Sequence, residues 1–224
     1  FAALYSELGG NCRVLTIDYR VAPEHPYPAA LEDTIAAYHW LLEQGYPAEK
    51  IVVAGDSAGG GLALALCLWL KNHKEPLPSG VIAMSPWTDL TISGESVETN
   101  FEKDPLFGKT RDSMLYNKDY LGDNDPTNEY ISPLFGDYEG FPPLLIQVGS
   151  YEMLLSDSTR VAKKAKEAGG KVKLSIYEGM FHVFQMAMLL MPESKKAWAE
   201  IKRFLHYLDT EENEMQNISK EEKA

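Results

Sequence analysis

The run Gly55-Asp56-Ser57-Ala58-Gly59 sets one hydroxyl among small residues, directly after the apolar stretch 51–55 and directly before the apolar stretch 62–70. A G-x-S-x-G between a strand and a helix is the sequence form of a nucleophile elbow. Gly55 and Gly59 allow a turn too tight for larger side chains, and the turn lifts the Ser57 hydroxyl above the sheet. The Ala58 N–H and the dipole of the following helix can then stabilise negative charge developing on a carbonyl oxygen. Asp56 is expected to order the turn by accepting backbone hydrogen bonds. The plainer reading, a Gly-rich turn with an incidental serine, is weakened by the strand-to-helix setting.

A serine nucleophile needs a base, and the base needs an acid to orient it. Five histidines are available. His25 and His39 precede the serine, His73 follows it too closely, and His206 lies inside the last helical stripe. His182 follows a strand in a Gly-containing loop, at the edge of a parallel sheet where such sites assemble. It is the expected base. For the acid, two carboxylates follow the strand ending at Gly149. Glu152 is nearer to the strand end and is favoured. Asp157, within Ser156-Asp157-Ser158, suits the first turn of a helix and stays open as the alternative. Asp104 belongs to a long insertion before that strand and is set aside, and Tyr151 cannot ionise usefully near neutral pH.

These residues need a scaffold. Continuous apolar runs at 14–18, 51–55, 81–85 and 144–149 read as strands buried on both faces, and 172–177 alternates like a sheet edge. Helical stripes lie among them: Leu31, Ile35, Tyr38 and Leu42; Leu62, Leu66 and Leu70; Val161, Ala165 and Ala168; and Ala197, Ile201, Phe204 and Leu208. Alternating strand and helix predicts an α/β fold with a mostly parallel sheet and helices on both faces, in a single domain over 1–224. Residues 87–143 break the rhythm with more than fifty positions between two strands and one helical pattern at 111–121. A connection that long usually carries function as a lid or cap, here bounded at about 88–142. The tail 209–224, with six acids and two lysines, is expected to fray.

Composition excludes several classes. The chain is 45% hydrophobic and 24% charged, which suits a globular domain and not a disordered one. Its net charge of −12 argues against nucleic acid or an anionic membrane as the main partner. No stretch approaches 18 consecutive apolar residues, so no membrane span is expected. Cys12 and Cys67 are expected to be buried, reduced thiols in a cytoplasmic protein, with no paired spacing for a metal site. The start, Phe1-Ala2-Ala3-Leu4, has no initiator Met. Leu4 and Leu8 before Gly9 and Gly10 read as the tail of an amphipathic helix, so the chain is expected to be a fragment. Arg20 with Glu24 is read as a structural ion pair. Met180, Phe181, Phe184, Met186, Met188 and Met191 are read as packing or an oligomer surface.

Several segments together resemble the hormone-sensitive-lipase-like branch of the α/β-hydrolases, the bacterial carboxylesterases and lipases with a GDSAG elbow. They are DYRVAPEHPYPAALED at 18–33, GDSAGGG at 55–61, SPWTDL at 85–90, PPLLIQVG at 142–149 and EGMFH at 178–182. The resemblance implies a Ser57 nucleophile, a His182 base, an acid in the loop after Gly149, and no cofactor. It also implies that part of 87–143 caps an acyl pocket, for which Trp87, Leu106, Phe107 and Phe181 are candidates. Relatives often carry aspartate in the acid loop, where this sequence has Ser150-Tyr151-Glu152. The family's His-Gly-Gly-Gly oxyanion motif is absent from the sequence, and with it the first strands, so weak activity is expected of this chain. The implied activity is hydrolysis of short- to medium-chain carboxylic esters through an acyl-enzyme. A related amide deacetylase or acyltransferase, or a non-catalytic binding protein on the same fold, are the rivals. Family members often pair through the edge strand and final helix, which implies a homodimer through 172–177 and the last stripe.

Overall fold

The computed structural model describes residues 1–8, 12–108 and 118–221. It divides into two compact units, Phe1–Thr16 with Gln185–Ala224, and Ile17–Phe184. The larger unit is built on four parallel strands in the order β1 (Val52–Asp56), β2 (Gly80–Met84), β3 (Leu144–Gly149) and β4 (Val172–Tyr177). Every residue of β2 and β3 is buried, as their unbroken apolar runs require. The helices α2 (Ala29–Glu43), α3 (Ala58–Asn72) and α5 (Leu155–Glu167) accompany the sheet, and a one-turn helix α4 (Ser96–Thr99) lies in the long insertion.

One face of the sheet, Val81, Ala83, Leu144 and Ile146, packs against Leu64 and Leu68 of α3 and Val161, Ala162 and Ala165 of α5. A fully buried leucine such as Leu64 or Leu68 stabilises the fold by about 1.5–3 kcal/mol relative to exposure. The back of α3 carries a second layer, where Leu66 and Leu70 meet Tyr38 of α2. Because all four strands run the same way, the chain leaves each of them at one common edge. The turns after Asp56, Met84, Gly149 and Tyr177 are therefore neighbours.

The smaller unit contains α1 (Ala2–Leu8) and the long α6 (Pro192–Glu221). The rings of Phe1 and Tyr5 meet Trp198 edge-on at centroid distances of 5.3 and 5.2 Å. Ala197, Ile201 and Leu208 form the buried stripe of α6.

Several expectations need correction. The run 14–18 joins no sheet, and Val14, Leu15 and Ile17 are exposed. Strand-like patterning reports the side chains but cannot supply a neighbour, and no described strand lies beyond β1. For the same reason β1 is not buried on both faces: it is the sheet edge, and Ala54 is exposed. Cys12 is exposed and only Cys67 is buried. Burial raises the Cys67 thiol pKa. Arg20 pairs with Asp33 at 2.8 Å and Glu32 at 3.1 Å, on the first turns of α2, and not with Glu24. Of the acidic tail at 209–224, the described part is helix to Glu221, since its Glu, Lys, Gln and Met are strong helix formers and it holds no Gly or Pro, and 222–224 lie outside the described residues. Of the predicted helix at 111–121, residues 111–117 lie outside the described residues and 119–121 form turns. In the Met-rich stretch, Met186, Met188, Leu189 and Leu190 are exposed.

Candidate active site

Ser57 sits one residue past β1 and caps α3, with φ 54° and ψ −123°. That left-handed backbone is uncommon for a residue with a Cβ and persists where surroundings over-determine it. Three hydrogen bonds do so here. The Ser57 N–H donates to the Met84 carbonyl at 2.9 Å, and the Ser57 carbonyl accepts from the N–H groups of Trp87 at 3.0 Å and Gly61 at 3.1 Å. Gly55 is required because a Cβ there would collide with the Gly59 carbonyl. Ala58 opens α3, so its N–H has no acceptor within the helix.

His182 reaches the same place from the turn after β4. The Gly179 N–H donates to Ser150 Oγ at 2.8 Å and the Tyr151 N–H to the Met180 carbonyl at 3.1 Å, which draws the turn onto the end of β3. The imidazole is buried, with Nε2 2.8 Å from Ser57 Oγ and Nδ1 2.9 Å from Glu152 Oε2. The Phe107 ring lies against it at a centroid distance of 4.7 Å.

Glu152 is fully buried. Its Oε1 accepts from the Ser85 hydroxyl at 2.7 Å and the Gly149 N–H at 2.5 Å, so the carboxylate has partners on both oxygens. The insertion holds the loop from outside. Asn100 Nδ2 donates to the carbonyls of Ser150 at 3.0 Å and Glu152 at 2.9 Å, and Asp104 Oδ2 accepts the Met153 N–H at 2.8 Å.

Asp157, the other candidate acid, is buried on the first turn of α5 and turns away from His182. Its Oδ2 accepts the N–H groups of Thr88 at 2.7 Å and Asp89 at 2.9 Å. Burial pushes its carboxyl up to about 7, against the opposing pull of those hydrogen bonds. Burial also raises the Asp56 carboxyl pKa.

A cavity of about 250 Å³ opens beside the elbow, lined among others by Ala58, Leu62, Trp87, Tyr19, Tyr120 and Ile131. Of the four residues expected in the acyl pocket, only Trp87 lines it. Leu106 is exposed, Phe107 packs on His182, and Phe181 is half-buried outside the cavity. Sequence reasoning missed Tyr19, Leu62 and Tyr120, because three separate segments supply them. It also gave the 85–90 run no chemical role, although Ser85 touches Glu152; a serine closing a buried strand was the available signal. Among the described residues, no group of three or more His, Cys, Asp or Glu side chains could hold a metal ion. No described helix is long and apolar enough to cross a membrane.

Residues 7–186 match a protein family defined by the alpha/beta hydrolase fold. The chain is 44% identical over 210 residues to an esterase of Acinetobacter venetianus, covering 92% of this chain and 69% of that one. It is 42% identical over 196 residues to an acetyl-hydrolase of Streptomyces hygroscopicus, covering 87% and 65%. The crystal structure of an esterase from the bacterial hormone-sensitive lipase family superposes with a TM-score of 0.87 at 44% identity, covering 92% of this chain and 68% of that one. The chain thus spans about two thirds of the length of the relatives it matches. With the elbow, the parallel sheet and these likenesses together, the chain belongs to the alpha/beta hydrolase family, on its hormone-sensitive-lipase-like branch.

Proposed function

We propose that this protein is a serine carboxylesterase in which Ser57 is the nucleophile, His182 the general base and Glu152 the orienting acid. The observation that carries the reading is the continuous relay from Ser57 Oγ to His182 Nε2 at 2.8 Å and from Nδ1 to Glu152 at 2.9 Å. Ser57 Oγ attacks the ester carbonyl carbon while His182 Nε2 takes its proton. Glu152 accepts the Nδ1–H, which holds the productive tautomer and stabilises the imidazolium. The tetrahedral oxyanion meets the Ala58 N–H at the positive end of α3. The imidazolium then protonates the departing alcohol, leaving an acyl-Ser57 ester. A water deprotonated by His182 releases the acid and restores the serine.

The cavity beside Ala58, mostly apolar in its lining residues, favours an ester with a short acyl or alcohol group. The acetyl-hydrolase among the relatives supports the same size range. The relay needs no cofactor, and β4, the edge of the sheet opposite β1, is the strand through which the homodimer is expected. Because the chain covers about two thirds of its relatives, the activity of the whole protein is part of the proposal. A fluorophosphonate probe tests it: labelling of Ser57, and its loss together with hydrolysis of nitrophenyl acetate in Ser57→Ala, are expected. Full hydrolysis by the Ser57→Ala protein overturns the mechanism.

A further inference from the structure

The Ser85 hydroxyl bonds to both of the loops that carry the relay's acid and base. It donates to Glu152 Oε1 at 2.7 Å and accepts the N–H of Val183, the residue after the base, at 3.1 Å. Ser85 is fully buried and does not line the cavity beside the elbow. Its own N–H is tied to the Gln147 carbonyl on β3 at 2.7 Å, so the hydroxyl is delivered from a fixed strand end. Both residues joined by the second bond have left-handed backbones, Ser85 at φ 48° and Val183 at φ 50°. For a β-branched residue such as valine that conformation is an outlier, held only where neighbours impose it.

We propose that Ser85 is a positioning residue of this active site, whose one hydroxyl sets the Glu152 carboxylate and the His182 loop at a fixed angle to each other. The proposal rests on the esterase reading given above. With the Gly149 N–H as the second donor, Oε1 is held from two directions, and Oε2 faces His182. Removing the hydroxyl leaves Oε1 with the Gly149 N–H as its one donor, which loosens the carboxylate, and strips the Val183 N–H of its acceptor. Misplacement of that kind reaches turnover and not substrate binding, because Ser85 touches neither the nucleophile nor the cavity.

The test uses the full 224-residue chain, with the rate of fluorophosphonate labelling at Ser57 and nitrophenyl acetate kinetics as readouts. Ser85→Ala and Ser85→Gly both delete the hydroxyl, but glycine also relieves the left-handed backbone. Each is expected to lower kcat by roughly 10- to 100-fold with KM held within about two-fold. In a Glu152→Gln background, Ser85→Ala is expected to add less than it costs alone, because the part exerted through Glu152 is already lost and only the Val183 bond remains. Ser85→Gly also serves as the second variant if the alanine protein does not fold. The downfield proton resonance of the His182 Nδ1–H, expected to shift or broaden in either variant, gives a reading independent of turnover. The proposal is overturned if kcat stays within about two-fold of wild type, if glycine restores what alanine loses, or if the Ser85 and Glu152 effects multiply in full. Failure of the wild-type protein to label at Ser57 is a different outcome. It removes the esterase reading itself, and this inference with it.

Discussion

At the end of β1 the chain turns through Ser57 at φ 54°, and at the end of the neighbouring β2 it turns through Ser85 at φ 48°. The two serines are built alike. Each lies one residue beyond its strand, and each donates its N–H to a carbonyl on the next strand over, Met84 for Ser57 and Gln147 for Ser85. Their hydroxyls end in opposite settings, one half-exposed against His182 Nε2, the other buried against the Glu152 carboxylate. The residue that follows makes the difference. Ala58 begins a helix and presents a free N–H and a positive dipole beside the cavity. Pro86 has no N–H and cannot offer one. The same backbone turn therefore makes a reactive corner in one place and a brace in the other.

The largest effect is expected where the two serines converge. Glu152→Gln keeps the size of the side chain, and its amide oxygen can still accept from Ser85 and Gly149. The amide N–H₂ then faces His182 Nδ1 and forces the tautomer whose Nε2 carries a proton, which cannot accept one from Ser57. A loss of kcat on the order of 10⁴ is expected, with the melting temperature nearly unchanged. Asp157→Asn, five positions along, is expected to keep turnover within a few-fold. If steady-state kinetics show the reverse pattern, Asp157 is the acid and the convergence of the two serines on Glu152 carries no chemistry.

A smaller effect separates the two strand ends themselves. Gly55 lies two residues before Ser57, and Ala83 lies two residues before Ser85. The alanine is fully buried yet accommodated, its methyl packed in the core shared with α3 and α5. A methyl at Gly55 would meet the Gly59 carbonyl where α3 returns across β1. Gly55→Ala is expected to cost about 1–3 kcal/mol of stability as the backbone shifts, and to reduce Ser57 labelling by about ten-fold as the elbow opens. Thermal melting and labelling rates check this. A variant with unchanged melting and labelling would show that the close approach at β1 is dispensable.

What was legible in the sequence divides along the same line. The elbow is local, since five consecutive residues with a strand before and a helix after carry the whole geometry, and Ser57 stands where that pattern puts it. His182 and Glu152 were reachable by chain order and by distance from a strand end, and the structure places His182 against Ser57 and Glu152 against His182. Ser85 was not, because its partner Glu152 is 67 positions away and a serine closing a buried strand does not by itself name its acceptor. Arg20 shows the same limit: Glu24, four positions on, lost to Asp33, which the first turns of α2 place opposite it. The 14–18 run shows the complementary limit, a strand pattern with no neighbour to pair with. Sequence reading reached residues that a local pattern or the chain order singles out, and missed partners that nothing but the folded packing chooses.

The end of β2 also carries the smallest predicted effect, one of stability against pH. Beyond Ser85, the N–H groups of Thr88 and Asp89 close on Asp157, whose buried carboxyl is pushed up to about 7 from an ordinary value of 3.8. Between those two values the folded protein holds a proton that the unfolded chain has released, so stability falls as pH rises through that window and levels off above about 7. A ten-fold difference in proton affinity between the two states corresponds to roughly 1.4 kcal/mol, so the total is at most a few kcal/mol. Asp89 beside it adds no slope in that window: burial is outweighed by hydrogen bonds from Ser93, Thr91 and Arg160 that hold its carboxyl below the usual range, so its contribution is already complete above its unfolded value. Asp157→Asn keeps an oxygen for the two N–H groups and removes the charge. Its melting temperature is expected to change less than that of wild type between pH 5 and pH 8, with a higher value at pH 8. Parallel curves for the two proteins across that range would mean that Asp157 is ionised throughout. The hydrogen bonds from the β2 end would then outweigh its burial, and this side of the comparison would be as well solvated in effect as the half-exposed Ser57 turn.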